Sequence, residues 1–194
     1  SYRCYKPVYY LSLLVREKGD MKRKHISNFQ YDRHEIERAL FFLSNALQKS
    51  GHNAKPVFLH SIQVAEMLWE RNFPQDIVIA AILHDVIEDT DVTIQEIECE
   101  FGQQVVRYVD VLTISSKQDV KQSFIRTAEL GGDVLSIRAA DLIQNSYYYH
   151  LAPVDMQRQL RDKYAYFMEL SDGLLDESLS SKLRKAYEKN VKTL

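Results

Sequence analysis

The sequence predicts an all-α fold, and two observations support this prediction. Apolar residues recur at helical spacing in successive segments from residue 32 onward. Only six glycines and four prolines interrupt the 194 residues, and no segment reads as a strand, an internal repeat or a low-complexity tract. A chain of this length accommodates one domain with a sizeable core. We therefore predict a single domain over residues 31–194, preceded by an N-terminal extension over residues 1–30.

Helical patterns divide the predicted domain into segments separated by short breaks. The segments with helical spacing are 32–47, 60–69, 76–88, 93–112, 124–128, 134–149, 160–170 and 183–191. The third contains a run from Ile77 to Leu83 that is apolar on all sides, and its length is also compatible with a buried strand. Its interpretation as a helix depends on the residues that follow it.

Specific residues mark where several of these helices begin or end. Thr93, followed by Glu96 three residues later, is a capping box and predicts the start of the fourth helix. Gly102 interrupts that helix, and Gly131–Gly132 breaks the chain again. Asp133 is the predicted N-cap of the helix that comes next.

Charge and cysteine usage exclude some classes of protein. The net charge is −2 and the pI is near 6.3, so the broad basic surface of a nucleic-acid binder is not expected, whereas a small anionic ligand is compatible. Cys4 and Cys99 form no CxxC pattern, which fits a reducing compartment better than a disulfide framework. The apolar run from Val8 to Val15 is too short to span a bilayer and lacks the features of a secretory signal. We predict a cytoplasmic protein without a membrane anchor.

The segment 84–90, His-Asp-Val-Ile-Glu-Asp-Thr, places five groups able to bind a metal or transfer a proton at the end of an apolar run. Burying a carboxylate costs several kcal/mol unless it is paired, hydrogen-bonded or bound to a metal, which favours a functional site. On a helix, adjacent His84 and Asp85 would point about 100° apart, close enough to bind one ion from two sides. The alternative is a helix C-terminus followed by surface carboxylates. Two further residues argue against it, His60 on an apolar helix upstream and Asp141 inside an apolar helix downstream, which complete a His, His-Asp, Asp ligand set.

These residues resemble the metal-binding signature of the HD phosphohydrolase superfamily, and the resemblance is closest to its alarmone-hydrolase branch. The segment Ala80–Thr90, with Thr93, Glu96–Ile97 and Phe101–Gly102 after it, is similar to the hydrolase domain of RelA/SpoT-type (p)ppGpp enzymes. The resemblance covers roughly residues 32–150. It implies an HD-domain helical bundle with its core motifs in that range and further helices over residues 154–194.

The resemblance also implies an activity and a site. Family members hold a divalent metal, usually Mn²⁺, and remove the 3′-pyrophosphate from guanosine tetra- or pentaphosphate, so we expect a metal-dependent phosphoric ester hydrolase acting on a small phosphorylated nucleotide. The implied metal ligands are His60, His84, Asp85 and Asp141. By the same comparison, Glu88 would orient or deprotonate the attacking water with help from Asp89, while Arg138 and Asn145 would contact phosphate or ribose.

The sequence departs from the family pattern around the substrate. Lys49 and Ser50 resemble part of an Arg-Lys-Ser-Gly loop and are expected to bind substrate, but Gln48 replaces the arginine and the spacing from Gly51 to His60 is longer than usual. Three tyrosines, 147–149, replace the usual Met-Arg-Thr, where they could stack on a base or, more commonly, fill a core or interface. The metal ligands are therefore kept while the nucleotide pocket is altered.

Two alternative functions stay open at this point. An HD phosphohydrolase acting on another nucleotide, such as a deoxynucleoside monophosphate, is favoured by the altered loop from Gln48 to Pro56. A non-catalytic nucleotide-sensing module would keep the helices, but it would not need a complete ligand set together with Glu88. Assembly into a homo-oligomer is compatible with the sequence and not specified by it.

Overall fold

A computed structural model of the chain describes residues 31–50, 55–114 and 120–192, so the proposed N-terminal extension lies outside the described residues. The described part is helical and contains no strand, which confirms the all-α prediction. Its helices are α1 (Arg33–Ser50), α2 (Val57–Trp69), α3 (Gln75–Leu83), α4 (Val86–Asp89), α5 (Ile94–Leu112), α6 (Val120–Leu130), α7 (Gly132–Ser146), α8 (Val154–Leu170) and α9 (Glu177–Tyr187). A 3₁₀ turn, Tyr149–Leu151, precedes α8, and a π-helical turn, Glu188–Lys192, follows α9.

Helices α2, α3 and α7 form the centre of the bundle. Every residue from Ile77 to Leu83 in α3 is buried, because α1, α2, α5 and α7 surround it, and this explains why its sequence shows no polar face. Helix α7 is similarly enclosed by α2, α6 and α9. The apolar segment that was compatible with a strand is thus a buried helix.

Glycines shape two of the predicted breaks. Gly102 has φ 83° and lies between two helical stretches of α5, a conformation that favours a residue without Cβ. Gly131 has φ 116° and immediately precedes α7, and a Cβ on Gly132 would come within 2.5 Å of the Leu174 carbonyl oxygen. The prediction that Asp133 caps α7 is wrong, because the helix starts at Gly132 and Asp133 lies in its first turn, where its charge favours the helix dipole.

The capping box at the start of α5 is confirmed. The Thr93 hydroxyl accepts a hydrogen bond from the Glu96 backbone N–H, and the Glu96 carboxylate accepts one from the Thr93 backbone N–H at 2.8 Å. Both donors would otherwise lack a partner in the first turn of the helix.

The structure corrects the predicted helix over residues 76–88. Helix α3 ends at Leu83, and Asp85 has φ −103° and ψ 0°, in the sparsely populated bridge region where many active-site residues are found. The chain then enters the one-turn helix α4. His84 and Asp85 therefore lie in a turn between two helices, and the assumption that they project from a continuous helix is wrong.

The C-terminal helices complete the bundle, since α9 packs on α7 and α8 packs on α6. None of the helices in the described part of the chain has the length and apolar character needed to cross a membrane. Cys4 lies outside the described residues, so the expectation drawn from the cysteine pattern stays a prediction.

Candidate metal centre

Four side chains from three parts of the bundle converge on one point. His60 comes from α2, His84 and Asp85 from the turn between α3 and α4, and Asp141 from the middle of α7. One potential ligand atom from each residue lies within 4.8 Å of the others. These are the four residues that the sequence indicated as ligands, and the close packing of α2, α3 and α7 brings them together.

The orientation of the two imidazoles suits metal binding. His84 Nδ1 donates a hydrogen bond to the Ala81 carbonyl oxygen at 2.8 Å, so Nε2 faces the cluster, 3.2 Å from Asp85 Oδ2 and 3.6 Å from Asp141 Oδ1. His60 Nε2 lies 3.2 Å from Asp141 Oδ1 and 4.0 Å from Asp85 Oδ2. A backbone carbonyl that holds the other ring nitrogen is a common feature of metal-binding histidines. The His60 ring is not held in the same way, because its Nδ1 is buried without a hydrogen-bond partner among the described residues.

The donor set itself fits a divalent cation. His84 Nε2 is buried and makes no hydrogen bond to any described residue, although two carboxylate oxygens lie nearby. Two imidazole nitrogens and two carboxylates offer mixed N/O ligation with room for further ligands, which suits several divalent first-row metals. The four residues are therefore chemically and sterically suited to hold such an ion.

The cluster is strongly polarised by its own charges. Burial alone would lower the pKa of His84, but the Asp85 and Asp141 carboxylates raise it to about 10. Burial likewise opposes ionisation of the two acids, yet the nearby imidazoles hold the pKa values of Asp85 and Asp141 below their usual range. The four side chains thus favour an imidazolium beside carboxylates, and the proton on His84 occupies a position that a metal would take.

Asn145 and Arg138 hold Asp141 in place from within α7. Asn145 Nδ2 donates to Asp141 Oδ1 at 2.5 Å, one helical turn away. Arg138 is 2% exposed, donates to the Leu112 carbonyl oxygen and, at 3.0 Å, to Ser123 Oγ, and places Nη1 3.8 Å from Asp141 Oδ2. The structure therefore places Asn145 at the cluster and Arg138 behind it.

Glu88 and Asp89 follow the ligand turn in α4. Glu88 Oε1 accepts a hydrogen bond from the Ile114 backbone N–H at 2.6 Å. Burial, followed by the charge of Asp85, raises the pKa of Glu88 despite this hydrogen bond. The charge of Asp89 acts on Lys55, which contacts the cluster. Both acids thus lie close enough to the cluster to interact with its charges.

Lys49 and Ser50 end α1 on an exposed surface. The pKa of Glu96 is held below its usual value by hydrogen bonds from the Thr93 backbone N–H and hydroxyl and, more weakly, by the charge of the Lys49 ammonium. Lys49 therefore lies toward the start of α5. Ser50 Oγ donates to the Ala46 carbonyl oxygen of its own helix at 3.1 Å. No contact among the described residues joins either side chain to the cluster, and their role in substrate binding stays a prediction.

Sequence reasoning missed Lys55. Its Nζ lies 3.3 Å from Asp85 Oδ2 and donates to Asn145 Oδ1 at 3.2 Å, which makes it a direct neighbour of the cluster. Burial opposes its charge, but Asp85 and Asp141 raise its pKa. The sequence signal that could have identified Lys55 is a cation directly before Pro56 and five residues before His60. The segment before α2 has no periodic pattern from which the direction of the lysine side chain could be predicted.

A cavity of about 180 Å³ is lined in part by Asn145, which also contacts Asp141 of the cluster. It is lined by Leu142, Asn145, Tyr148, Tyr149, Leu160, Lys163 and Tyr164. Within the tyrosine run, Tyr147 is exposed, Tyr148 lines the cavity, and Tyr149 is buried with its hydroxyl donating to the Gln157 carbonyl oxygen. The run therefore contributes both to the core and to the cavity wall. A larger cavity of about 400 Å³ adjoins α8 and α9 and includes none of the cluster residues.

Comparison with protein families and curated proteins finds similar sequences over the part of the chain that carries most of the cluster. The family model described as an HD domain matches residues 39–129, a range that contains His60, His84 and Asp85. A guanosine-3′,5′-bis(diphosphate) 3′-pyrophosphohydrolase from Aquifex aeolicus is 31% identical over 134 residues, which are 63% of this chain and 19% of that protein. The human protein of the same name is 47% identical over 60 residues, 30% of this chain and 34% of that protein. The chain thus spans about a fifth to a third of these relatives.

Solved structures share the fold. The structure of a metazoan orthologue of SpoT, described as hydrolysing ppGpp, superposes with a TM-score of 0.71 at 19% identity. The superposition covers 82% of this chain and 97% of that one. At this identity the similarity establishes a common helical architecture that extends over nearly all of the second protein.

Proposed function

The HD-domain family model matches residues 39–129, and from this premise we propose that the chain is an HD-domain, metal-dependent phosphohydrolase that removes the 3′-pyrophosphate from (p)ppGpp. The observation that carries the proposal is the convergence of His60, His84, Asp85 and Asp141 within 4.8 Å. The names of the similar proteins supply the substrate. We propose Mn²⁺ as the metal, because it is the usual ion of the family that the sequence resembles and mixed nitrogen and oxygen donors suit it among several divalent metals.

The residues around the cluster have distinct roles in this proposal. A bound divalent ion would act as a Lewis acid and lower the pKa of the attacking water. Glu88 accepts the proton from that water, and its raised pKa brings it closer to the working range of a general base. Asp89 assists from the same helical turn. The water oxygen forms a bond to the phosphorus next to the 3′-oxygen, and the bond between that phosphorus and the 3′-oxygen breaks. The 3′-oxygen leaves with the proton that Glu88 took from the water.

Arg138 has an indirect role in this scheme. Its guanidinium is buried and donates to backbone and side-chain oxygens, so we assign it to positioning Asp141 and not to contacting substrate. Asn145 lies between Asp141 and the small cavity, where it can both orient the ligand and contact the nucleotide. Lys49 and Ser50 remain candidates for substrate contact at the outer edge of α1.

Hydrolysis of ppGpp by the purified protein, with and without Mn²⁺, tests the proposal. The expected result is release of pyrophosphate from ppGpp, with neither pyrophosphate nor phosphate released from GTP, GDP or deoxynucleoside monophosphates. Turnover of one of those other nucleotides in place of ppGpp would change the proposed substrate but leave the proposed metal-dependent chemistry in place. The exposed position of Lys49 and the burial of Arg138 are the observations that favour this second function. Metal binding without any turnover would favour a nucleotide-sensing module.

The location and assembly of the protein belong to the same proposal. A cytoplasmic location would give the enzyme access to its nucleotide substrate, and the absence of a CxxC pattern is compatible with it. We propose no nucleic-acid partner on the basis of the net charge of −2, and no membrane partner because the apolar run from Val8 to Val15 is too short to span a bilayer. Cell fractionation and light scattering would test the location and the oligomeric state.

A further inference from the structure

Lys55 places a positive charge against the carboxylates of the cluster. It directly precedes Pro56 and α2, and its Nζ reaches Asp85 Oδ2 at 3.3 Å and Asn145 Oδ1 at 3.2 Å. The side chain is 26% exposed, compared with 15% for Asp85 and 4% for Asp141. Its ammonium therefore lies on the solvent side of the ligands.

This position opposes the uptake of a metal ion. An ion held by the cluster and the Lys55 ammonium would share the Asp85 carboxylate, and two positive charges at such close range repel, more strongly in a partly buried site than in water. Lys55 therefore weakens the binding of a bare cation. A site that only stored a metal would gain affinity from a neutral residue at this position.

The other cations near the cluster are arranged differently. Arg138 lies behind Asp141 and donates to the Leu112 carbonyl oxygen and to Ser123. Lys163 lines the small cavity beyond Asn145, with its ammonium 5.8 Å from the centre of the buried Phe124 ring. In the described part of the chain, Lys55 is the cation that contacts a ligand carboxylate from the solvent side.

We propose that Lys55 binds the phosphate group that the substrate presents to the metal, and that it selects for an anionic phosphoryl group at this position. The inference rests on the proposed function, because it takes the cluster to be a metal site. An anion between the ion and the ammonium satisfies both positive charges, and charge-assisted hydrogen bonds to a phosphate oxygen are stronger than neutral ones. The repulsion that weakens binding of the bare ion is relieved when the phosphate binds, so metal and substrate each strengthen the binding of the other.

The contact with Asn145 allows this exchange of partners. Asn145 Oδ1 accepts from Lys55 while Asn145 Nδ2 donates to Asp141, so the amide links the ammonium to a metal ligand. When Lys55 leaves Asp85 for a phosphate oxygen, its bond to Asn145 can hold the ammonium at the mouth of the site. Lys55 then acts as a substrate-binding residue supplied by the loop before α2.

Binding of inorganic phosphate to the Mn²⁺-loaded full chain tests the proposal without turnover. Paramagnetic broadening of the ³¹P resonance reports phosphate next to the ion, with protein kept in excess so that little Mn²⁺ is free. The variants are Lys55→Gln and, as a matched control, Lys185→Gln, which changes an exposed lysine in the last turn of α9. Mn²⁺ affinity is measured in parallel by electron paramagnetic resonance, and circular dichroism checks the fold of each variant.

We expect Lys55→Gln to weaken phosphate binding about tenfold while Mn²⁺ binds as tightly as before or more tightly. Lys185→Gln should match the wild type in both measurements. Loss of Mn²⁺ affinity in Lys55→Gln would overturn the proposal, because it would mean that the lysine only supports Asp85. Unchanged phosphate binding would overturn it as well.

The same data separate this inference from the proposed function. A protein that hydrolyses no nucleotide but needs Lys55 to bind phosphate beside Mn²⁺ would refute the enzyme and support the anion site. Conversely, Mn²⁺-dependent hydrolysis of ppGpp with the same KM in Lys55→Gln and wild type would support the enzyme and refute the role of Lys55.

Discussion

Replacing Asp141 with asparagine removes one charge from the centre of the cluster with almost no change in shape. Asp141 Oδ1 lies 3.2 Å from His60 Nε2 and accepts from Asn145, while Oδ2 lies 3.8 Å from Arg138 Nη1. The amide oxygen of the variant side chain could still accept from Asn145, but the buried guanidinium would lose its carboxylate. We expect Asp141→Asn to lose metal binding and stability together.

The size of each effect follows from the contacts. Breaking a buried ion pair from one side costs about 3–5 kcal/mol, and we expect the lower end, about 3 kcal/mol, because Arg138 keeps its bonds to Leu112 and Ser123. A metal present at about 100 times its dissociation constant stabilises the folded state by about 2.7 kcal/mol. For a chain of this size that gain corresponds to a rise in Tm of about 5–11 °C in the wild type, and Asp141→Asn should show none.

Thermal unfolding with chelator and with Mn²⁺ measures both effects in one experiment. Asp110→Asn, a change at an exposed residue of α5, is the matched control and should stay within about 0.5 kcal/mol of the wild type and keep its response to Mn²⁺. A normal Mn²⁺-dependent rise in Tm for Asp141→Asn would refute its assignment as a ligand. Wild-type stability of this variant in chelator would refute the argument from Arg138.

Three other predictions address the acid, the exposed lysine and the pH dependence. Glu88→Gln should reduce kcat by about 10²–10⁴-fold with Mn²⁺ affinity retained, and loss of the ion in this variant would make Glu88 a ligand. Lys49→Ala should raise KM for ppGpp if the end of α1 reaches the substrate, and an unchanged KM would remove Lys49 from the pocket. In chelator, the free energy of unfolding should fall as the pH rises from 6.5 toward 10, because Asp85 and Asp141 outweigh burial and raise the pKa of His84 to about 10 in the fold. This contribution is fully present below pH 6.5, so denaturant titrations showing equal stability at pH 6 and pH 9.5 would contradict it.

The cluster of proposed metal ligands was predictable because the chemistry of its residues conflicts with their surroundings. His60 and Asp141 lie in helices whose neighbours are apolar, and His84–Asp85 ends a wholly apolar run, so each had to be explained by a partner or an ion. The turn at His84–Asp85 was not predictable. No glycine or proline marks it, and Asp85 adopts its bridge conformation without any local sequence signal.

The residues around the proposed substrate site were less predictable, because the role of a side chain depends on the direction in which it points. Arg138 lies three residues before Asp141 and so shares its face of α7, but the sequence does not tell whether that face meets solvent or core. The structure shows Phe124, Leu112 and Ser123 around the guanidinium, which leaves it buried. For Lys55, the preceding loop lacks any periodicity, and only the packing of α2 against α7 brings the ammonium to Asn145.

Arg138 and Lys55 approach the acids of the cluster from opposite sides, and this asymmetry separates their roles. Arg138 is 2% exposed and bonded to the protein through several donors, so its charge serves to fix Asp141 and has no access to a ligand. Lys55 is 26% exposed and bonds two side-chain oxygens, one of which an incoming phosphate can replace at little cost. Arg138 therefore holds Asp141 in position, whereas Lys55 leaves a positive charge beside a bound metal that an anion must balance.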